Sequence, residues 1–358
     1  MADVTQPIRV GLIGFGFVTK TFHVPLLRGT PGYEISAISS SHPRDVLAML
    51  PDVEVVSSAE KLATHPDLDL VVVASPNDSH ARLAELAMRS GHNTVVEKPF
   101  TITVKEARYL AAVAEENHAL LSVFHNRRWD SDFLTIRAAL ERKLLGRLVR
   151  FESRIDRYRP DVRDRWRERP GPGSGLLYDL GPHLIDQALL LFGIPDDVEA
   201  TVAEQRSGAT TDDFFHFILR YGEMIATLEA GSLVSGGTPR FAVHGDRASM
   251  VKQKPDIQED QLRAGMLPGA ANWGRDRDDA VLYIGQGAIT QTVPPTPGDQ
   301  RGFYVALAEA MRGTEPNPVT AQQGATVMAI IEAAIVSHRE GRRVVPAISA
   351  AERAAWPS

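Results

Sequence analysis

Apolar and polar positions follow two rhythms along the first third of the chain. Short apolar runs, IRVGLIG, YEISAIS, LDLVVVA, NTVVEKP and ALLSVF, recur from residue 7 to about 125. Between them lie stretches whose apolar residues return every three to four positions, clearest in SHARLAELAMRSG, ended by Gly91, and VKEARYLAAVAEEN. The first rhythm predicts strands and the second helices, and their alternation predicts an α/β domain with a doubly wound parallel sheet, the Rossmann pattern. Val71, Val72 and Val73 leave no polar face, as a central strand covered on both sides requires.

After Phe124 the rhythm changes. FESRIDRY, TDDFFHFILRY, MIATLEAGSLV and FAVHGD alternate residue by residue, which predicts strands with one buried face and therefore a mainly antiparallel open sheet. DSDFLTIRAALERK, the region of HLIDQALLLFG, FYVALAEAMRG and ATVMAIIEAAIVSHREG supply helices, so the second part reads as α+β. A length of 358 residues suits two cores better than one. We therefore expect an N-terminal domain over 1–125 and a second over 126–358. The segment 252–300, rich in Gly, Pro, Asp and Gln, predicts long loops, and no internal repeat is visible.

Composition narrows the function. With 39 basic against 45 acidic residues there is no broad positive field for a nucleic-acid backbone, so nucleic acid is not an expected partner. The absence of cysteine excludes disulfides, thiolate nucleophiles and cysteine-bound zinc, and fits a reducing compartment. MADVTQPIRVGLIGFG runs straight into a strand without the features of a signal peptide, and no run approaches the roughly 20 apolar residues of a membrane span. A cytoplasmic protein without a membrane partner is the expectation. No HExxH or carboxylate cluster suggests a catalytic metal.

Gly14, Phe15 and Gly16 follow the first strand, with Phe17 and Val18 leading towards a helix. Glycines there permit a tight turn and close approach of backbone N–H groups to a pyrophosphate. Thr19 stands where the third glycine of the usual fingerprint would be, and Gly11 reads as a packing glycine inside the strand. About 20 residues on, where an NAD-selective site carries an acid, the sequence has Ser39, Ser40, Ser41, His42, Pro43 and Arg44. Hydroxyls and a guanidinium favour a 2′-phosphate, so NADP is expected ahead of NAD.

Two further groups bear chemistry. Glu97, Lys98 and Pro99 end a strand on the carboxyl edge of the parallel sheet, where ligands bind in such folds. Downstream, GPGSGLLYDLGPHLIDQ places Asp179 and His183 four residues apart, on one face if the segment is helical. Pro182 argues for a helix that starts near His183 or is distorted there.

Taken in order, the GxG turn, Ser75-Pro76-Asn77 with His80, Glu97-Lys98-Pro99, Asn126-Arg127-Arg128 and Gly-x-Gly-x-Leu-x-Asp-x-Gly-x-His resemble the Gfo/Idh/MocA family of oxidoreductases. Within it, FHNRRWDSDF, VRDRWRE and GPGSGLLYDLGPHLIDQ are similar to the bacterial NADP-dependent scyllo-inositol dehydrogenases. The resemblance implies an NAD(P)-binding Rossmann domain followed by a substrate-binding domain whose open sheet serves as a homodimer or homotetramer interface. It implies that Lys98 binds the reacting oxygen, with Lys98-Pro99 a cis bond, and that Asp179 and His183 form a DxxxH pair. By the same resemblance Ser75 to His80 and Glu97 border the cofactor, and Trp166 with Arg167 line it. Asn126, Arg127, Arg128 and Tyr158 are available for contacts to a polyhydroxylated ligand, and equally for ion pairing and packing. His23 and Pro25, just past the glycine turn, fit a cleft border or a helix entry equally well.

The expected reaction moves a hydride between a secondary alcohol of a polyol or sugar and the nicotinamide. His183 is the first choice of base, because an imidazole exchanges protons near neutral pH, with Lys98 steadying the alkoxide and Asp179 holding a neighbouring hydroxyl. Lys98 is the competing base. Rival expectations are another sugar or dihydrodiol dehydrogenase of the same family, glycoside cleavage through transient oxidation, and a non-catalytic NADP-sensing regulator.

Overall fold

The computed structural model describes residues 6–287 and 289–357. Its contacts divide the chain into two compact units. The first holds the residues up to Asn126 together with Gln258–Trp273 and Asp299–Ala325, and the second holds Arg127–Ile257, Gly274–Gly298 and the residues from Thr326 onward. The chain thus returns twice to the first unit, which a single cut at residue 125 does not anticipate.

The first unit is built on six parallel strands: β1 (Ile8–Ile13), β2 (Tyr33–Ser39), β3 (Glu54–Val56), β4 (Leu70–Val73), β5 (Asn93–Val96) and β6 (Leu121–Val123). Their order is β3-β2-β1-β4-β5-β6, so the sheet winds outward in both directions from the β1/β4 junction. All four residues of β4 are fully buried, as its apolar run predicts. The helix Val104–Glu116 starts where Thr103 and Glu106 cap each other reciprocally, the side chain of each bonding the other's backbone N–H at 3.2 and 3.0 Å. At the free edge of β6, Ser122 donates its hydroxyl to Val319 O at 3.0 Å and Asn317 donates to Leu121 O at 2.7 Å, covering hydrogen-bonding groups that would otherwise pair elsewhere. Gly11 is a packing glycine: a Cβ there would run into the side chains of Leu62 and Leu68.

The second unit carries an eight-stranded sheet: β7 (Leu148–Arg154), β8 (Asp197–Ala203), β9 (Phe214–Tyr221), β10 (Met224–Gly231), β11 (Phe241–Gly245), β12 (Ala248–Lys252), β13 (Ala280–Ile284) and β14 (Ile289–Val293). The order is β14-β13-β12-β11-β7-β10-β9-β8, antiparallel throughout except for the β7/β10 pair. Phe151, Phe215, Phe217, Leu219, Ala226, Leu228, Phe241 and Val243 are fully buried at alternate positions. The helix Gly175–Phe192 packs on this apolar side against β9 and β10. The other side carries Arg150, Glu152 and Arg154, joined by ion pairs at 2.8 and 2.5 Å. The segment 252–300 is more ordered than its composition predicts, holding the helix Gln258–Arg263 as well as β13 and β14. Among the described residues no helix is long and apolar enough to cross a membrane.

Buried charges tie this unit together. Arg240, 3% exposed, donates to Asp132 at 2.9 Å, to Ser153 at 2.6 Å and to Gln187 at 2.7 Å, and Gln187 in turn donates to Arg127 O. Lys252, fully buried, sits 2.7 Å from Asp276 and 2.6 Å from Asp278, which fastens the stretch leading into β13. Removing one partner of such a pair strands the other charge. Arg240→Leu is therefore expected to cost about 3–5 kcal/mol, read as a lower urea midpoint for this unit. An unchanged midpoint would show that the network contributes nothing to stability.

Candidate active site

In the first unit the expected cofactor residues gather at the carboxyl ends of four neighbouring strands. Gly14 follows β1, Ser40 follows β2, Ala74 follows β4 and Glu97 follows β5. The strand order reverses between β1 and β4, the place where open α/β sheets receive ligands. Gly14 has φ +95, and a Cβ on it would lie 2.7 Å from Ala74 O. Its N–H donates to Ser39 O at 3.0 Å, and Thr19 Oγ1 donates to Gly14 O at 2.8 Å. Thr19, in place of the third glycine, therefore closes the turn with its hydroxyl. Nothing stands within 4 Å of where a Cβ of Gly16 would be, and the chain beyond becomes helical over Thr19–His23 and Val24–Arg28. A left-handed glycine, an open glycine and a helix start form a cradle that fits a pyrophosphate. Phe15 and Phe17 flank it: Phe17 is 52% exposed, and Lys20 lies over the Phe15 ring at 4.9 Å.

The loop after β2 places Ser40 and Ser41 around His42, whose backbone N–H donates to the Ser40 hydroxyl oxygen at 3.0 Å and whose ring meets the Ser41 hydroxyl at 3.0 Å. Arg44 is exposed in the helix Pro43–Met49, whereas Ser39 is buried at the end of β2. The neighbouring carboxylate, Asp45, is held by Lys20 at 3.3 Å.

The loop after β4 is fixed by His80. Fully buried, its ring nitrogens lie 3.0 Å from Ser75 O and 2.9 Å from Pro99 O, and burial pushes its pKa down. It shapes the ligand edge from beneath, while Pro76 is exposed and Asn77 is buried. The Ser75 and Ser79 hydroxyls are 2.6 Å apart. The Lys98-Pro99 bond is cis. Glu97 is 5% exposed: its Oε1 lies 2.9 Å from His23 Nε2, and its Oε2 accepts the Lys98 backbone N–H at 3.0 Å. Burial alone would raise this carboxyl. The hydrogen bond and charge of His23, with the charge of Lys98, outweigh it and hold Glu97 below its ordinary range. Of the Glu97-Lys98-Pro99 triplet only Lys98 reaches the surface. Asn126, 6% exposed, also belongs to this unit.

In the second unit Asp179 and His183 lie on the helix Gly175–Phe192, which is continuous through Pro182. The expected break does not occur, because the flanking turns are buried by Leu177, Leu180, Leu184 and Ile185, and their packing offsets the donor the proline lacks. The four-residue spacing therefore does put both side chains on one face. Arg167 joins Asp179 at 3.6 Å and lies 4.5 Å over the Trp166 ring, so three of the expected residues meet here. Tyr158 is 60% exposed. Arg127 pairs with Asp130 at 3.0 Å, and Arg128 grips Asp186 through two bonds of 2.9 and 2.6 Å in the interior, so ion pairing engages both arginines.

Several residues that position these groups carry no sequence motif. Asp212 caps the helix Gly175–Phe192 from outside: its carboxylate accepts Leu177 N–H at 2.6 Å and its carbonyl accepts Leu176 N–H at 2.9 Å. Gly175, φ +90, is required there, since a Cβ would overlap the Asp212 carboxylate. Arg206 joins Glu168 at 3.0 Å and Asp213 at 2.8 Å, clasping the segment that presents Trp166 and Arg167. Asp212 and Leu177, and Arg206 and Glu168, lie more than thirty residues apart, and only the fold brings them together.

A dinucleotide cradle on a parallel sheet, with a polar helix pair in a companion α/β unit, defines a nucleotide-dependent oxidoreductase. The chain belongs to the Gfo/Idh/MocA oxidoreductase family. Residues 8–125 match its NAD-binding Rossmann fold and residues 137–346 its C-terminal alpha/beta domain. The chain is 47% identical to the oxidoreductase YdgJ of Escherichia coli strain K12 over 93% of its own length and 97% of the relative's. It is 41% identical to scyllo-inositol 2-dehydrogenase (NADP(+)) IolW of Bacillus subtilis strain 168, over 94% and 96% of the two chains. The crystal structure of an oxidoreductase from Klebsiella pneumoniae superposes with a TM-score of 0.92 at 48% identity, covering 97% of this chain and 98% of that one.

The Asp212 cap makes a measurable statement about pH. Burial raises its pKa to about 6, against an ordinary value of 3.8. Between those two values the folded chain holds a proton that the unfolded chain has released, so this group's contribution to stability is present at low pH and lost as pH rises towards about 6. Asp212→Asn keeps an acceptor for Leu177 N–H without the charge. Its melting temperature minus that of the parent should rise from pH 4 to pH 7; a constant difference would count against a titrating cap.

Proposed function

We propose that this chain is an NADP-dependent dehydrogenase acting on a secondary alcohol of an inositol-like polyol or sugar. The observation that carries the reading is that Lys98 alone of its triplet is accessible, at the end of β5 on the same carboxyl edge of the sheet as the phosphate cradle that follows β1. The IolW relative, named for scyllo-inositol and NADP, supports the substrate class and the cofactor choice.

Residues 14–18 would hold the pyrophosphate, Ser40, Ser41 and Arg44 the 2′-phosphate, and Ser75 to Asn77 the nicotinamide end. When bound, NADP supplies the acceptor for the hydride leaving the carbinol carbon. Oxidation also requires a proton to leave oxygen, and His183 is the group assigned to take it. Lys98 steadies the developing alkoxide as a cation, an effect of about 3 kcal/mol by comparison with single oxyanion-hole donors. Asp179, set by Arg167 and its place one helical turn before His183, accepts a hydrogen bond from a neighbouring hydroxyl of the substrate.

Two measurements test this. A panel of inositols, aldoses and dihydrodiols followed by cofactor absorbance should give multiple turnovers with at least one polyol. Lys98→Met and His183→Asn should each lower kcat by about a hundredfold or more with NADPH affinity little changed. Full turnover in both variants would remove the mechanism, and silence of the parent on every alcohol would favour a sensing role. For the cofactor, kcat/KM should favour NADP, and Arg44→Ala should erode the NADP value by about tenfold while sparing NAD. Equal efficiencies with the two cofactors would contradict the assignment of Arg44.

A further inference from the structure

His23 stands outside every role described so far, yet it occupies the centre of a buried chain of hydrogen bonds. It is fully buried, as is Tyr304, whose hydroxyl lies 2.6 Å from His23 Nδ1. His23 Nε2 lies 2.9 Å from Glu97 Oε1, and Glu97 Oε2 accepts the Lys98 backbone N–H at 3.0 Å. Tyr304 is itself fixed, since Tyr33 donates to its carbonyl at 2.7 Å and Phe124 and Phe303 pack against its ring at 5.9 and 5.2 Å.

A carboxylate only accepts, so Nε2 carries the proton that faces Glu97, while Nδ1 is engaged by the Tyr304 hydroxyl. Burial and the charge of Glu97 keep that hydroxyl protonated, its pKa well above the ordinary value. Glu97 thus has one oxygen committed to the imidazole and the other to the backbone of the residue that follows it.

We propose that His23 is a positioning residue for Lys98, acting through Glu97: it fixes the carboxylate that clamps the Lys98 backbone, and so aims the lysine at the reacting oxygen. This rests on the role given to Lys98 above. The alternative is that the chain only fills the interior between the helix Val24–Arg28 and the strand ends. The two differ in what a substitution does. If His23 merely packs, an isosteric apolar residue is tolerated locally or loosens the whole region evenly; if it positions, the damage centres on residue 98.

The test uses the intact chain and two variants. His23→Leu removes both hydrogen bonds while keeping an apolar filling, and His23→Gln retains an N–H donor for Glu97. Native-state hydrogen exchange of the Lys98 amide should accelerate by about tenfold or more in His23→Leu, with Val95 and Val96 amides unchanged, and return towards the parent in His23→Gln. In turnover, His23→Leu should lose about tenfold in kcat with KM for NADP and polyol within about twofold, and His23→Gln should recover most of it. Unchanged Lys98 exchange in His23→Leu, acceleration spread evenly over β5, or failure of His23→Gln to rescue would overturn the proposal. A parent inactive on every polyol would defeat the dehydrogenase reading instead, and the amide measurement would still decide whether His23 clamps residue 98.

Discussion

The ligand edge of the first sheet depends on one missing atom. Gly14 can press its Cα against Ala74 O only because it has no Cβ, and its φ of +95 turns the chain there. That contact brings three strand ends to one level. Gly14 N–H reaches Ser39 O on the β2 side, and Ala74 N–H reaches Ile13 O on the β4 side, at 3.0 and 2.9 Å. The level then passes to β5, where Glu97 N–H donates to Val73 O at 3.0 Å, and so to Lys98. A side chain at residue 14 would displace the end of β4 and shift the Ser75 loop and Lys98 with it. The glycine turn is usually understood as room for a phosphate; here it equally sets the height of the lysine.

How legible the site was in the sequence follows from the range of its interactions. Gly14, Gly16, Lys98, Asp179 and His183 show in short motifs because each answers a local demand: a turn, a strand end, a helical face. The pairing of His23 with Tyr304 spans 281 residues, and no periodicity announces it. Asp212 reads as one acid among the 45 acidic residues until it is seen 2.6 Å from Leu177 N–H. The fold divides likewise. β4, apolar on both faces, is unmistakable, whereas β14 is exposed at almost every position and offers no pattern to read. Cuts in a sequence are also linear, and a chain that revisits its first unit at 258–273 and 299–325 defeats them.

Both units support their functional side chains with buried ionic groups, at a real energetic cost. Desolvating Glu97, or the Arg206, Glu168 and Asp213 set, is unfavourable unless each lone pair and proton is matched. They are matched: Glu97 by His23 and the Lys98 amide, Arg206 by two carboxylates and by the carbonyls of Arg159 and Asp161. An apolar filling would hold the same volume at no desolvation cost, but it would leave the Lys98 backbone and the Trp166-Arg167 segment without directional restraint. Directional restraint is what hydride and proton transfer need, since both fall off steeply when reacting atoms are misplaced by an ångström.

The same logic explains why the helix Gly175–Phe192 tolerates a proline where a proline should break it. Pro182 lacks the N–H that residue 178 would otherwise accept, a defect of about 3 kcal/mol in an isolated helix. Fully burying side chains such as Leu184, Ile185 and Leu189 returns about 1.5–3 kcal/mol each, so tertiary packing keeps the helix continuous. The defect then falls between Asp179 and His183, the two positions to which the proposed mechanism gives adjoining roles. Pro182 has no alternative φ to relax into, and the packed leucines on either side prevent the turns from slipping. A flexible residue there would restore the missing bond and give up the fixed φ. The helix is thus locally weaker in hydrogen bonding and locally more rigid, and rigidity is the property that the reaction proposed for this polar pair requires.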